Sequence, residues 1–242
     1  MSHPQHASYT VWMYGSRARG DYDTLSDLDI FVAGQRPQGL VLEELVSNGQ
    51  APSVSQYSWP EVEAMAAYGS LFLHHLRLEG RPLVEDGGGH SRLMQLLENL
   101  PPYGLFRRDI RAFHLTIADV QEGITVGSSP DFELSVLGTV IRHASVLACY
   151  LLGSPCFGRT GALKRAGREF GFTSSEVQGF ADLYRFRLNE EGRCPAPFPA
   201  SWKDVEQWAV QVMTFLIHLE GAADAFEERL READREGTDQ RR

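Results

Sequence analysis

The chain has 242 residues, of which 43% are hydrophobic and 23% charged, enough apolar material for one large domain or two small ones without covalent staples. Its formal charge of -9 at pH 7 repels polyanions on average, which disfavours broad nucleic-acid binding but not cationic small molecules or protein partners. Cys149, Cys156 and Cys194 form no CxxC pair, so neither a disulfide framework nor a structural zinc site is expected. The N-terminal MSHPQHASYTVW has no basic stretch followed by an apolar run, which points to a cytoplasmic protein with no membrane partner.

Taken in chain order, Tyr9 to Tyr14 reads as a buried strand ending at Gly15. A second strand follows, in which Leu28, Ile30 and Val32 alternate with Asp27, Asp29 and Phe31. Two carboxylates on one strand face repel unless something cationic lies between them. Residues 40–48 read as a short helix stopped at Asn48-Gly49, and Ser53 to Tyr57 as a third strand. Pro60 opens a helix, Ser70 to Leu78 continues with helical spacing, and Arg81 to Val84 reads as a last strand. Asp86-Gly87-Gly88-Gly89-His90 is the expected linker. Beyond it the apolar residues recur at helical spacing, as in Ile110, Phe113 and Ile117, or Val205, Trp208, Val212, Phe215 and Leu219, which predicts a bundle of four or five helices.

The chemistry concentrates in residues 14–32, YGSRARGDYDTLSDLDIFV. Gly15 permits a turn that brings backbone N–H groups close to phosphate oxygens, and the Ser16 hydroxyl can donate to the same oxygens. Asp27 and Asp29 offer the hard oxygen ligands that Mg2+ needs to bridge protein and the phosphates of a nucleoside triphosphate. Arg17 and Arg19 add positive charge near those phosphates, although Arg19 could equally support the loop.

Gly15-Ser16 followed by Asp27-Leu28-Asp29 resembles the hG[GS]…DhDh signature of nucleotidyltransferases of the DNA polymerase β superfamily. GSRARGD with SDLDIFV is especially similar to the minimal nucleotidyltransferases, which are often fused to or encoded beside HEPN-type helical domains; kanamycin-type nucleotidyltransferases also join such a core to helices. With the glycine run as boundary, the resemblance implies an α+β chain of a small mixed-sheet nucleotidyltransferase domain at residues 1–86 and a HEPN-like bundle at 90–236; the charged end of the chain, without an apolar stripe, is expected to be a disordered tail at 237–242. The resemblance also implies transfer of a nucleoside monophosphate, AMP by preference, from ATP or another triphosphate to a hydroxyl of a small molecule, protein or RNA, with pyrophosphate leaving. Asp27 and Asp29 would then be the catalytic metal ligands, and Gly15, Ser16, Arg17 and Arg19 the nucleotide-binding residues.

The family's third carboxylate is missing from Ser53 to Tyr57, where Ser55 or Gln56 takes its place. Glu61 or Glu63 could reach in, an acid could come from the helices, or the chain could bind nucleotide without turning it over, as an antitoxin-like or regulatory module. A second copy of the chain or a toxin-antitoxin-like partner is the expected protein contact.

Other features have plainer readings. His74 and His75, adjacent on a helix, point in different directions and read as packing residues. Arg108 and His114 fit the loose arginine-histidine spacing of HEPN ribonucleases, a spacing that also arises by chance. Residues 152–159 read as an inter-helix loop, with Arg159, Lys164 and Arg165 either solvated or facing a cleft. Cys156 has no cationic neighbour close in sequence to activate it.

Overall fold

Alternating apolar residues build the first part of the chain into a sheet. β1 (Thr10–Tyr14) runs antiparallel to β2 (Asp29–Ala33), with Trp12 opposite Phe31 and Tyr14 opposite Asp29. β3 (Ser53–Tyr57) lies parallel to β2, with Ser53 opposite Asp29 and Ser55 opposite Phe31. β4 (Arg81–Val84) pairs antiparallel with β1, so the strand order of this mixed sheet is β3-β2-β1-β4. The computed structural model describes residues 8–35, 52–84 and 87–239; the helix expected at 40–48 lies outside them.

One sheet face carries Trp12, Phe31 and Ala33 into a core with Trp59, Val62 and Ala66 of α2 (Trp59–Ala67), Leu73 and Leu76 of α3 (Leu71–Glu79), and Leu93 and Leu97 of α4 (Gly87–Glu98). Val11, Leu28, Ile30 and Val32 face the other way and are also fully buried. The period of two in β2 is therefore as expected, and both of its faces are covered. A five-residue helix, α1 (Gly15–Arg19), stands where a loop is expected; it buries Ala18 and is closed by Gly20 in the left-handed conformation.

The glycines expected to form a linker lie instead at the start of α4. Their lack of side chains serves close approach: a Cβ on Gly89 would lie 2.0 Å from the Tyr9 carbonyl oxygen. The next residue, His90, stacks on Trp12 at 5.6 Å. The chain divides into two compact units, Met1–Leu105 and Phe106–Arg242, so α4 belongs with the sheet, and the division comes later than the glycine run. A run of glycines resembles a linker only when nothing packs against it.

The second unit consists, among the described residues, of α5 (Phe106–Val126), α6 (Pro130–Leu151), α7 (Arg159–Glu169), α8 (Ser174–Glu190) and α9 (Trp202–Asp239). The fold class is α+β. Helical backbone continues through Asp239 into the expected tail, and residues 240–242 lie outside the described part. α6 packs against each of the other four helices. Its Gly138 lets it approach α8 so closely that a Cβ would lie 2.4 Å from the Leu183 carbonyl oxygen. By length and composition α6 could cross a membrane, yet 67% of its apolar window is buried inside the bundle, as befits a central core helix.

Candidate active site

The corner between β1, α1 and β2 gathers the residues singled out from the sequence. Gly15 has a φ of 74°, a left-handed conformation that residues with a Cβ rarely adopt. It turns the chain directly from strand into helix. A Cβ at this position would lie 2.6 Å from Oδ2 of Asp29, so the carboxylate rests against the backbone of the turn. The pairing of Tyr14 with Asp29 produces this contact between residues far apart in sequence.

Asp29 is half-buried and Asp27, two residues earlier, is exposed. Leu28 between them is fully buried and anchors the entry to β2. The approach loop is fixed by Ser26, whose hydroxyl donates to Asp23 Oδ1 at 2.8 Å and accepts from the Asp23 N–H at 3.0 Å. Ser16 is half-buried, and its carbonyl accepts the N–H groups of Gly20 and Asp21 at 2.9 and 3.1 Å. The Arg17 guanidinium lies 4.6 Å from the centre of the Tyr22 ring, a cation–π distance.

Arg19 is engaged by carboxylates on two sides. Its Nε donates to both oxygens of Asp21 at 3.1 Å, and Nη1 donates to Glu79 on α3. Glu79 also accepts from His75 Nε2 at 2.7 Å, and the His75 ring meets Tyr14 edge-on at 5.4 Å. Burial works to raise the Glu79 carboxyl, but the bonds from His75 and Arg19 outweigh it and hold the group below its ordinary range. On the Arg19 side, burial is likewise outweighed by Asp21 and Glu79, which push the guanidinium up. The sequence reading missed this network, although the His75 to Glu79 spacing of one helical turn is its visible signal. His74 is a buried packing residue: its Nδ1 accepts from Arg77 at 3.0 Å, and Nε2 donates to the Pro101 carbonyl at 3.2 Å. Burial and then Arg77 keep it neutral by lowering its pKa.

The register of β3 shows which residue stands on the face where the family's third acid is expected. Ser53, Ser55 and Tyr57 lie opposite Asp29, Phe31 and Ala33 and share their face, whereas Gln56 points to the other. Of Ser55 and Gln56, Ser55 is therefore the one on the Asp29 face, two residues along β3 from Ser53, which lies directly opposite Asp29, and its hydroxyl bonds to the Tyr14 hydroxyl at 3.2 Å. Burial pushes the Tyr14 phenol up, with the Ser55 bond partly opposing and Asp29 adding to the rise. Neither Glu61 nor Glu63 substitutes for the missing acid. Both follow the far end of β3, about 13 Å along the strand from the Asp29–Ser53 pair at roughly 3.3 Å per residue. Glu61 accepts from the Ser58 N–H at 2.7 Å and hydroxyl at 2.8 Å, capping its own helix, and Glu63 pairs with Arg92.

Among the described residues no group of three or more His, Cys, Asp or Glu side chains could hold a metal by itself. Asp27 and Asp29 supply two carboxylates, the donor set of a magnesium site that is completed by substrate phosphates.

The helical unit does not assemble the arginine-histidine site considered for it. Arg108 and His114 are six residues apart on α5, about 120° around the helix at 3.6 residues per turn. His114 bonds to Glu220 at 2.9 Å, and Arg108 lies 3.6 Å from Asp109. Arg165 braces the inter-helix loop by donating to the Ser154 carbonyl at 3.0 Å, while Arg159 lies 5.7 Å from the Tyr184 ring centre. Cys156 lies beside Gly161, and burial pushes the neighbouring Cys149 thiol up to about 11.

Residues 3–70 match the family model of a nucleotidyltransferase domain. The match covers β1, the Gly15 turn, both aspartates, β3 and α2, and it supports nucleotidyl transfer as the general class of chemistry. No curated protein matches the chain.

Proposed function

We propose that the chain is a magnesium-dependent nucleotidyltransferase that moves AMP from ATP to a hydroxyl acceptor on a small molecule, protein or RNA and releases pyrophosphate. The observation that carries this reading is the contact of the Asp29 carboxylate with the Gly15 turn, 2.6 Å from the position a Cβ would take. It supports the reading because a carboxylate, the kind of ligand magnesium takes, lies beside backbone that can approach phosphate oxygens. Gly15 and Ser16 hold the triphosphate, Asp27 and Asp29 hold the metal that comes with it, and Arg17 adds positive charge. Arg19, bound to Asp21 and Glu79, holds α1 in place and shares its charge with them. The metal, when bound, neutralises charge on the phosphoryl oxygens. In the transfer the acceptor hydroxyl gives up its proton to water and its oxygen bonds to the α-phosphorus, as the bond from that phosphorus to the bridging β-phosphate oxygen breaks and pyrophosphate leaves.

Ser55 favours a second reading, in which nucleotide is bound but turned over slowly or not at all, as in an antitoxin-like or regulatory module. A serine cannot act as a base or an anionic ligand at neutral pH. The two readings separate in one assay. Pyrophosphate release from ATP and Mg2+ is followed across hydroxyl acceptors for the natural chain and for Ser55→Asp. Transfer by the natural chain that is lost in Asp29→Asn supports the enzyme; binding without release, with release gained in Ser55→Asp, supports the module.

A further inference from the structure

The helical unit contains a cavity of about 340 Å3 between α7 and α8, at the small end of the roughly 300–1,000 Å3 typical of small-ligand pockets. One wall is a single stripe of α7, Thr160, Lys164 and Arg168, at successive turns of the helix. The other wall presents Ser174 and Gln178 of α8, again one turn apart, and Phe172 and Val177 supply apolar surface. No carboxylate lines it.

The charges on this wall are unusual for the chain. α7 carries four cations, Arg159, Lys164, Arg165 and Arg168, against one acid, Glu169, in a protein with a net charge of -9. Arg159 and Arg165 are engaged with Tyr184 and Ser154. Among the described residues, no ion pair or side-chain hydrogen bond engages Lys164 or Arg168. The nearby Glu176 gives its carboxylate to the N–H and hydroxyl of Thr173, both at 2.7 Å. Like charges one helical turn apart repel, and an anion between them relieves that repulsion.

We propose that this cavity binds a small phosphomonoester. A phosphate dianion can pair with the Lys164 ammonium and the Arg168 fork, one helical turn apart, and the hydroxyls of Thr160 and Ser174 are further donors in the lining. The organic remainder lies against Phe172 and Val177. A volume of this size admits a small metabolite, and the net charge of the chain disfavours a nucleic-acid backbone. Its lining comes from the helical unit alone and includes no residue of the Gly15–Asp29 corner, and the proposal does not depend on activity there.

Isothermal titration calorimetry on the full chain at physiological salt tests it with ribose 5-phosphate, glycerol 3-phosphate, inorganic phosphate and uncharged ribose. The expected result is binding of at least one phosphomonoester, tighter than inorganic phosphate, and none of ribose. The double variant Lys164→Gln/Arg168→Gln, both exposed positions, should keep its melting temperature and weaken binding at least tenfold. Asp29→Asn should leave it unchanged. The proposal is overturned if neither phosphomonoester binds, if inorganic phosphate binds as tightly, if the double variant binds as the natural chain does, or if Asp29→Asn alone removes binding.

Discussion

In the N-terminal unit a single added carbon at Gly15 would lie 2.6 Å from the carboxylate of Asp29, and the consequence would be chemical. In the helical unit a carbon added at Gly138 would lie 2.4 Å from a backbone oxygen of α8, and the consequence would be a shift in packing. The tolerances are similar but they serve different ends. Around Gly15 the close approach holds polar groups at the end of the two central strands, β1 and β2. Around Gly138 it lets two long helices share a core of leucine, isoleucine and phenylalanine. Site changes in the first unit should therefore act on ligand binding more than on stability, and core changes in the second should do the reverse.

The largest expected stability effect is in the bundle. Phe180 is 1% exposed and packs against Phe172, Trp208 and Phe215, so Phe180→Ala should cost about 3–5 kcal/mol in chemical denaturation. Binding of ATP and Mg2+ by the folded variant should be unchanged, and a parallel loss of binding would break the comparison. Gly15→Ala comes next, at about 1–3 kcal/mol for the left-handed conformation. It should also weaken Mg2+-dependent ATP binding, because Asp29 must move.

Glu79→Gln sharpens the comparison within the first unit, since it removes the acceptor shared by Arg19 and His75. A cost of about 1–3 kcal/mol at neutral pH is expected. The sign of its pH dependence follows from the lowered pKa of Glu79. The folded state favours the carboxylate, so the contribution is full above the ordinary glutamate range and disappears as pH falls through the lowered value. Denaturation midpoints of natural and variant chains should therefore differ near pH 7 and converge in acid. A difference that grows in acid would contradict the network. The smallest effect belongs to Glu61→Gln: with Glu61 acting as a cap, ATP affinity in Mg2+ should stay within about twofold, a shift under about 0.5 kcal/mol.

Much of the sheet was legible because its signals are local. β3 and β4 lie where alternation and turn residues place them, and the face of β2 that carries Asp29 follows from a period of two. The contact of Gly15 with Asp29 was legible only as a motif, since it depends on a strand register that sequence spacing does not state. Ser55 and Gln56 were indistinguishable until pairing with β2 put one on each face. The α4 glycines were misread because their role is a close approach to Tyr9, a tertiary contact that overrides the usual meaning of a glycine run. The His75–Glu79–Arg19 network was hidden for a similar reason: its helical half has a visible spacing, but its partner comes from the turn after β1, 60 residues away from Glu79.

The most direct test is calorimetric titration of the full chain with ATP, with and without Mg2+, for the natural protein and Asp29→Asn. Binding that requires Mg2+ and falls by about tenfold or more in Asp29→Asn, in line with the loss of a charged partner worth about 1.5–3 kcal/mol, is the predicted result. Equal binding by both chains, or binding indifferent to Mg2+, would contradict the assignment of the Gly15–Asp29 corner as the nucleotide site.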